Sequence, residues 1–383
     1  MNAHKNKLSS QFIKCIYIAK KKLKRIIVSV TNDIATDQRV AKVCNTLIQN
    51  NFEVLLIGRK LKNSIPLSRN YKTKRFQLLF NTGFLFFAEY NLRLFCYLLF
   101  TKKDILLSND LDTLLPNYLA SKLQHKKIVF DSHELFPEIP ELIHRHKVKK
   151  VWLAIENWIL PNLKNNYTVC NSIASFYNNK YNTHFKTIKN LPSKKEINKG
   201  AFSFDTKGKK IILYQGALNI GRGLELMIET MHFLENHLLV LIGNGDIHAF
   251  LKEKVTAENL NSKVVFLGKI SPKELHKLTP LVDIGLSLEE DLGLNYRFAL
   301  PNKIFDYIQA EVPILVSNLP EMRRVVLDYN VGEIVKNSTP EKLAKQIKQV
   351  LEKEYATELK SAKEILTWEQ QEAELIAIFH DLK

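Results

Sequence analysis

Three side chains that can donate or accept protons directly follow a predicted strand. The run KKIVF, residues 126–130, ends in β-branched and aromatic residues, which is typical of a buried strand. The next segment, DSHELFPE, contains Asp131, His133 and Glu134. This segment is either a chemical site at the mouth of a sheet or an ordinary turn in which Asp131 or Ser132 caps a helix and His133 only supports its neighbours.

A phosphate-binding loop is predicted in the second half of the chain, within YQGALNIGRGLELMI. A strand ends at Gly216, a short loop contains Gly221, Arg222 and Gly223, and helical spacing follows. Small residues let backbone N–H groups approach a ligand, and a helix N-terminus favours an anion. The Arg222 guanidinium can also bind a diphosphate with two parallel hydrogen bonds. A surface turn is the alternative interpretation.

A second helix start with polar residues lies in NYRFALPNKIFDYIQAEVPIL. Pro301 suits a first helical turn, so Asn302 and Lys303 would lie at the start of the helix. Asp306, one turn further on, could accept two hydrogen bonds from a ribose diol. The alternative is a charged first turn on a solvated helix.

The elements that must position these residues alternate between strand and helix. Predicted strands in the first half are RIIVSV, FEVLLIG, DILLSND, KKIVFDS and NYTVCNS. Those in the second half are KKIILYQG, HLLVLIGNGD, KVVFLGKIS, VDIGLSL and VPILVSN. This β-α-β rhythm predicts two α/β units with parallel sheets.

Composition places the boundaries of the predicted domains. Pro, Gly, Lys and Asn cluster near residues 190–207. We therefore predict a basic N-terminal segment, two Rossmann-like domains and a long amphipathic C-terminal helix that packs back on the N-terminal domain. Their predicted ranges are 1–23, 24–195, 196–360 and 361–383.

Several common site motifs are absent from the sequence. VTNDIATDQRV stands where a G-x-G-x-x-G loop would follow the first strand, and no P-loop, H-E-x-x-H or G-x-S-x-G occurs. The four cysteines are far apart, which fits a reducing compartment and gives no support for a zinc site.

Only the first half of the chain has a net positive charge. Residues 1–200 contain 34 Lys and Arg against 13 Asp and Glu, whereas residues 201–383 contain 22 against 26. This asymmetry favours an anionic partner, with a general effect on solubility as the alternative. FIKCIYIAKKKLKR near the N-terminus is a poor signal peptide and fits either a helix on a membrane surface or a basic tail.

The most apolar stretch is residues 76–100. It contains Gly83, Glu89, Asn91 and Arg93, so a membrane-spanning helix is disfavoured. We predict a short strand up to Phe80, followed by a buried or interfacial helix.

Many short motifs together resemble a known family. They are DQRV, SNDLDTLLP, DSHELFPE, CNSIA, NLP, YQGALNIGRGLELMI, LIGNGD, VVFLGKIS and LPNKIFDYIQAEVPILVSNLPE. In this order, over roughly residues 24–375, they resemble the glycosyltransferase family 4 enzymes and a subgroup with an LPNK motif. The resemblance implies the GT-B fold of two facing Rossmann-like domains with parallel sheets.

The resemblance also implies roles for individual residues. Arg222 matches the family's basic residue beside the donor diphosphate, and Asp306 matches the carboxylate that contacts the ribose. The first Glu of the family's Glu-x7-Glu motif would fall at Phe298, so Asn302 and Lys303 are expected to replace it. The other donor-binding candidates are Gly216, Gly223, Gly243, Gly268 and Lys269.

For the reaction itself, the resemblance implies that His133 faces the donor sugar and acceptor, with Asp131 beside it. The expected enzyme is a retaining, metal-independent glycosyltransferase without a bound cofactor. Its donor would be a UDP- or GDP-sugar, and its acceptor a saccharide or a lipid-linked saccharide in cell-surface polysaccharide synthesis.

The expected location is the cytoplasm, at the inner face of an anionic membrane. No nucleic-acid partner is expected, since no recognition helix, aromatic RNA-binding motif or zinc finger occurs. A sugar-nucleotide epimerase of the same fold and a basic nucleic-acid-binding protein remain the alternatives.

Overall fold

A computed structural model describes residues 23–139, 142 and 145–382 of the chain. Its strands are β1 Lys24–Asp33, β2 Phe52–Lys60, β3 Lys72–Gln77, β4 Ile105–Asn109, β5 Lys127–Ser132, β6 Asn166–Thr168, β7 Phe185–Thr187, β8 Lys210–Gln215, β9 His237–Ile242, β10 Val264–Gly268, β11 Ile284–Ser287, β12 Ile314–Val316 and β13 Gly332–Ile334. Its helices are α1 Gln38–Gln49, α2 Gly83–Phe100, α3 Leu114–Leu123, α4 His146–Ile159, α5 Asn171–Tyr181, α6 Leu224–Thr230, α7 His248–Ala257, α8 Pro272–Leu278, α9 Leu294–Arg297, α10 Asn302–Gln309, α11 Pro320–Tyr329, α12 Pro340–Glu352, α13 Ala356–Ile365 and α14 Trp368–His380.

The strands form two parallel sheets, as the alternation of elements predicts. The order of the first sheet is β3-β2-β1-β4-β5-β6-β7, and that of the second is β10-β9-β8-β11-β12-β13. The central strands contain continuous apolar runs because helices cover both faces of a parallel sheet. In β8, for example, Ile212 and Leu213 pair with Leu239 and Val240 of β9, and all four side chains are buried.

The described residues fall into two compact units. One unit consists of the residues up to Val129 together with those from Phe379 onwards. The other unit is Phe130–Ile378. In the first unit, the Lys24 Nζ donates to the Leu382 carbonyl at 2.8 Å, and Phe52 packs edge-on against Phe379. The domain ranges expected from composition stay predictions, and residues 1–22 of the basic N-terminal segment lie outside the described residues.

The long C-terminal helix predicted from residue 361 is wrong, because two helices occur there. α13 ends at Ile365 and α14 begins at Trp368. The Gln309 side chain donates to the carbonyls of Lys363 and Leu366, at 2.8 and 3.2 Å, and so holds the end of α13. A sequence signal was present, since Thr-x-x-Gln at residues 367–370 is a pattern that starts helices.

The strand predicted up to Phe80 ends three residues earlier, at Gln77. The carboxylate of Glu89 accepts hydrogen bonds from the backbone N–H groups of Leu79 and Phe80, at 2.9 to 3.0 Å, and so turns the chain towards α2. The predicted helix is present as α2. By its length and composition alone, α2 is also apolar enough to cross a membrane.

A close contact between two glycines fixes the ends of β8 and β9. The Gly216 N–H donates to the Ile242 carbonyl at 2.9 Å, and the Gly243 N–H donates to the Gly268 carbonyl at 2.9 Å. A Cβ atom added at Gly243, whose φ is +145°, would lie 1.8 Å from the Gly216 carbonyl oxygen. Only glycine fits here, so this contact sets the position of the loop that follows β8.

We expect Gly243→Ala to lower the free energy of unfolding by more than about 1 kcal/mol, through backbone strain and steric overlap together. Gly208→Ala is a suitable control, since Gly208 also has a positive φ, +69°, but its added Cβ would meet open space. Urea unfolding of both variants measures the difference. Equal losses of stability in the two variants would contradict the packing role of Gly243.

Candidate active site

A cavity of about 450 Å³ lies at the carboxyl ends of strands in the Phe130–Ile378 unit. Six of the site residues predicted from sequence line it: His133, Gly216, Arg222, Asn302, Lys303 and Asp306. The structure therefore brings together residues that are up to 173 positions apart in the chain. Their catalytic and binding roles stay predictions.

His133 reaches this cavity from the loop after β5. Its Nε2 lies 3.0 Å from the Asp131 Oδ2, and Asp131 is fully buried within the strand. Asp131 does not line the cavity but can hold the imidazole of His133 in place. The alternative interpretation as a helix cap fails, since Asp131 and Ser132 belong to β5 and the Ser132 hydroxyl donates to the Glu134 carbonyl.

Arg222 occupies the predicted loop before α6. Gly223, with φ of +67°, is the residue that precedes the helix, and an added Cβ would lie 2.4 Å from the Leu288 carbonyl oxygen. The guanidinium of Arg222 lies 5.2 Å from the ring centroid of Tyr296 and 3.6 Å from the Glu289 carboxylate. Its side chain is partly exposed, so the cation can also meet a ligand in the cavity.

A buried ion pair lies beneath the cavity. The Lys303 Nζ donates to the Glu289 Oε1 at 2.7 Å and lies 4.1 Å from the ring centroid of Tyr214. The Ser287 hydroxyl donates to the other Glu289 oxygen at 2.7 Å. Burial lowers the pKa of Lys303, and the Glu289 charge opposes that change. Burial alone would raise the pKa of Glu289, but Lys303, Ser287 and Arg222 hold it below its ordinary value.

The buried carboxylate of Glu289 places two cationic side chains at the cavity. Glu289 is fully buried and does not line the cavity, whereas both of its cationic partners do. One carboxylate thus positions Lys303 and Arg222, and the group of three charges retains one positive charge. Such preorganised cations can bind an anionic group without moving first.

Asp306 lies one turn into α10 and lines the same cavity. Its Oδ2 accepts a hydrogen bond from the Gln215 side chain at 3.1 Å, and the Gln215 Oε1 accepts one from the Thr279 hydroxyl at 3.0 Å. The amide of Gln215 is therefore oriented from both sides. Asp306 keeps acceptor capacity for a ligand, because a carboxylate has about four lone-pair sites.

The remaining predicted site residues have different positions. Asn302 lines the cavity and accepts a hydrogen bond from the Asn190 side chain at 3.0 Å. Because Asn302 is the first residue of α10, Pro301 precedes the helix and is not part of its first turn. Gly243 packs against Gly216 outside the cavity. Gly268 and the exposed Lys269, at the end of β10, do not line the cavity either.

Sequence reasoning missed Glu289 and Asn295. The Asn295 side chain accepts from the Leu135 N–H at 3.1 Å and donates to the Glu134 carboxylate at 3.3 Å, and Asn295 lines the cavity. A signal for Glu289 was available, since SLEED places acidic residues directly after β11, as DSHELFPE does after β5. Phe298, at the position of the missing family Glu, lines the cavity as well.

Within the described ranges, no group of three or more His, Cys, Asp or Glu side chains could hold a metal ion. The cationic side chains that line the cavity in this part of the chain are Arg222 and Lys303.

Comparison with known families now adds a second line of evidence. Residues 196–365 match the family model of Glycosyl transferases group 1. This match supports the predicted glycosyltransferase class over the segment that it covers, which is less than half of the chain. An uncharacterized glycosyltransferase of Methanocaldococcus jannaschii is 28% identical over 148 residues, which are 37% of this chain and 36% of the relative. The match thus spans little more than a third of the length of this curated relative.

Solved structures match nearly the whole chain. Sucrose-phosphate synthase of Thermosynechococcus elongatus has a TM-score of 0.76 at 15% identity and covers 94% of this chain and 99% of its own. HepE of Anabaena, in complex with UDP and glucose, has a TM-score of 0.70 at 13% identity and covers 93% and 99%. The predicted GT-B fold class is confirmed by these similarities.

We expect Glu289→Gln to lower the free energy of unfolding by roughly 3 kcal/mol, since it leaves Lys303 buried without a counter-ion. Urea unfolding measures this loss, and Glu289→Gln combined with Lys303→Met should recover much of it. Glu341→Gln breaks the exposed Lys345–Glu341 pair of the same length, 2.7 Å, and should cost less than about 1 kcal/mol. Equal effects of the two single variants would contradict a stabilising buried pair.

Proposed function

We propose that this protein is a retaining glycosyltransferase of family 4, in a subgroup with an LPNK motif, that uses a UDP- or GDP-sugar as donor. The acceptor is a saccharide or a lipid-linked saccharide in cell-surface polysaccharide synthesis, and the transfer needs no metal. The enzyme acts in the cytoplasm, at the inner face of the membrane.

One observation carries this proposal. A single cavity presents cationic side chains, Arg222 and Lys303, a carboxylate, Asp306, and an imidazole, His133. These groups match the parts of a nucleotide sugar, since a diphosphate requires cations, a ribose diol favours a carboxylate, and a sugar hydroxyl can bind an imidazole. The complex of HepE with UDP and glucose supports a donor of this type.

The chemistry follows from the charge that moves during transfer. The bond between the anomeric carbon and the diphosphate oxygen breaks, and the acceptor oxygen bonds to the same carbon. The acceptor proton leaves with the departing diphosphate, on which negative charge grows. Cations fixed by Glu289 stabilise that charge more strongly in the transition state than in the bound donor.

A lipid-linked acceptor explains the asymmetry in charge. The excess of Lys and Arg lies in residues 1–200, whereas the segment matched by the family model begins at residue 196. Each Lys or Arg near an anionic membrane surface contributes about 1 kcal/mol to binding. The basic part of the chain would thus bring the enzyme to a membrane that carries its acceptor.

A thermal-shift panel of UDP-, GDP-, ADP- and CMP-sugars tests the donor. A ligand at about 100 times its dissociation constant stabilises the folded state by about 2.7 kcal/mol. We expect stabilisation by a UDP- or GDP-sugar, and transfer of its sugar only when an acceptor is added. Conversion of the donor to its epimer without an acceptor would show the epimerase, and stabilisation by nucleic acid alone would overturn the proposal.

We expect Arg222→Ala to lower kcat by ~10²-fold, the scale of losing one preorganised donor, and to weaken donor binding. Arg222→Lys should recover only part of the lost kcat and donor affinity, since an ammonium group cannot make two parallel hydrogen bonds to the diphosphate. The control is Arg323→Ala, an exposed position on α11 whose guanidinium lies 3.4 Å from the Asn318 side chain. Initial rates with and without a metal chelator measure the effect. A wild-type rate for Arg222→Ala, or loss of wild-type activity on adding chelator, would contradict the proposed diphosphate site.

A further inference from the structure

The outward side of α2 is apolar where a helix on a protein surface is normally polar. The outer face of α2 is defined by Phe84, Leu85, Leu92, Cys96 and Phe100, all of which are exposed. Phe84 is 76% exposed, Leu92 65% and Phe100 89%. Only 22% of this 18-residue helix is buried, although its mean hydropathy is 1.3. Exposed apolar patches of this kind mark interaction surfaces.

The inward side of the same helix is fixed in the core of its unit. Phe86, Tyr90, Leu94 and Leu98 recur every four residues and are buried in one hydrophobic cluster with β1 and β2 side chains. The Tyr90 hydroxyl donates to the Val30 carbonyl of β1. These contacts attach the inward side of α2 to the sheet, so its outer face is the side that is available to a membrane surface.

The two charged residues of α2 pair with each other and hold the segment that precedes the helix. Glu89 and Arg93 form an ion pair at 2.7 Å. The Glu89 carboxylate also holds the N–H groups of Leu79 and Phe80, and the Arg93 guanidinium donates to the Gln77 carbonyl at 3.1 Å. Leu79, 80% exposed, is thereby presented beside the outer face of α2. The pair neutralises itself, so it opposes apolar contacts less than single charges would.

The unit that carries this patch has an excess of positive charge. Residues 23–129 contain 17 Lys and Arg against 7 Asp and Glu. At the two ends of α2, the Arg59 guanidinium donates to the Asn81 carbonyl at 3.2 Å, and the exposed Lys102 follows the helix. A protruding apolar face within a basic surface is complementary to an anionic lipid bilayer, which offers acyl chains below a layer of negative headgroups.

We propose that the outer face of α2 inserts into the interface of an anionic membrane and holds the enzyme there. A second copy of the chain is a poorer occupant, because two such faces would bring like charges together. Residues 1–22 are also a poorer occupant, since they carry six lysines of the same sign. The inference extends the membrane location in the proposed function, and it is tested without sugar transfer.

Cys96 provides a reporter at the centre of the face. Cys44 and Cys170 are buried, and burial raises the pKa of both thiols, so they react poorly with reagents. An environment-sensitive fluorophore on Cys96 of the Cys15→Ser chain therefore labels the face. We expect its emission to shift to the blue with vesicles of phosphatidylglycerol and phosphatidylcholine, and much less with phosphatidylcholine alone.

Matched variants assign the shift to the apolar face. Leu92→Asp should lower partitioning to anionic vesicles about 10-fold or more, since it removes apolar area from the membrane contact and adds a negative charge. Leu123→Asp, on α3 of the same unit and 64% exposed against 65% for Leu92, should bind as the unchanged chain does. Removal of residues 1–22 should weaken binding and leave the blue shift of the bound protein intact.

Three results would overturn the inference. They are vesicle sedimentation without a blue shift, a shift without vesicles that grows with protein concentration, and a shift that disappears when residues 1–22 are removed. The second would assign the face to another copy, and the third to the N-terminal segment. A normal donor-induced thermal shift alongside any of these results would reject this surface alone. A blue shift without any donor binding would instead reject the proposed transferase.

Discussion

The buried pair between Glu289 and Lys303 is the interaction on which the candidate site depends. Glu289 follows β11, Lys303 belongs to α10, and Arg222 precedes α6, so one carboxylate joins two loops and the start of a helix at the carboxyl end of the second sheet. Burial makes the Glu289 and Lys303 charges costly by themselves, which keeps these two side chains together. The partly exposed Arg222 lies 3.6 Å from the same carboxylate. The carboxylate cannot meet a ligand, since it is fully buried. Its effect is to hold two cations at the cavity wall.

The proposed diphosphate site lacks the first Glu of the family motif. Phe298 occupies that position and lines the cavity with an apolar ring. Charge is supplied instead from neighbouring segments, by Arg222 in its glycine loop and by Lys303 at the start of α10. The glycines around Arg222 and at the end of β9 contribute through close backbone packing, which side chains would prevent.

Much of the fold was predictable because its signals are local. Strands of a parallel sheet are apolar runs, and the polar residues that follow them must lie at one edge. Those two rules locate His133, Arg222, Lys303 and Asp306 near one another. The rest depends on contacts between distant residues. Gln309 interrupts the C-terminal helix by binding carbonyls more than 50 positions away, and Glu289 has its role only because folding brings Lys303 to it.

The central claim is that the cavity binds a donor diphosphate through cations that Glu289 has already positioned. A crystal structure with the nucleoside diphosphate that stabilises the protein most would test it directly. The account predicts diphosphate oxygens within about 3 Å of the Arg222 guanidinium, the ribose hydroxyls at Asp306, and an unbroken contact between Lys303 and Glu289. A diphosphate bound outside this cavity, or bound within it without contact to Arg222, would contradict the account.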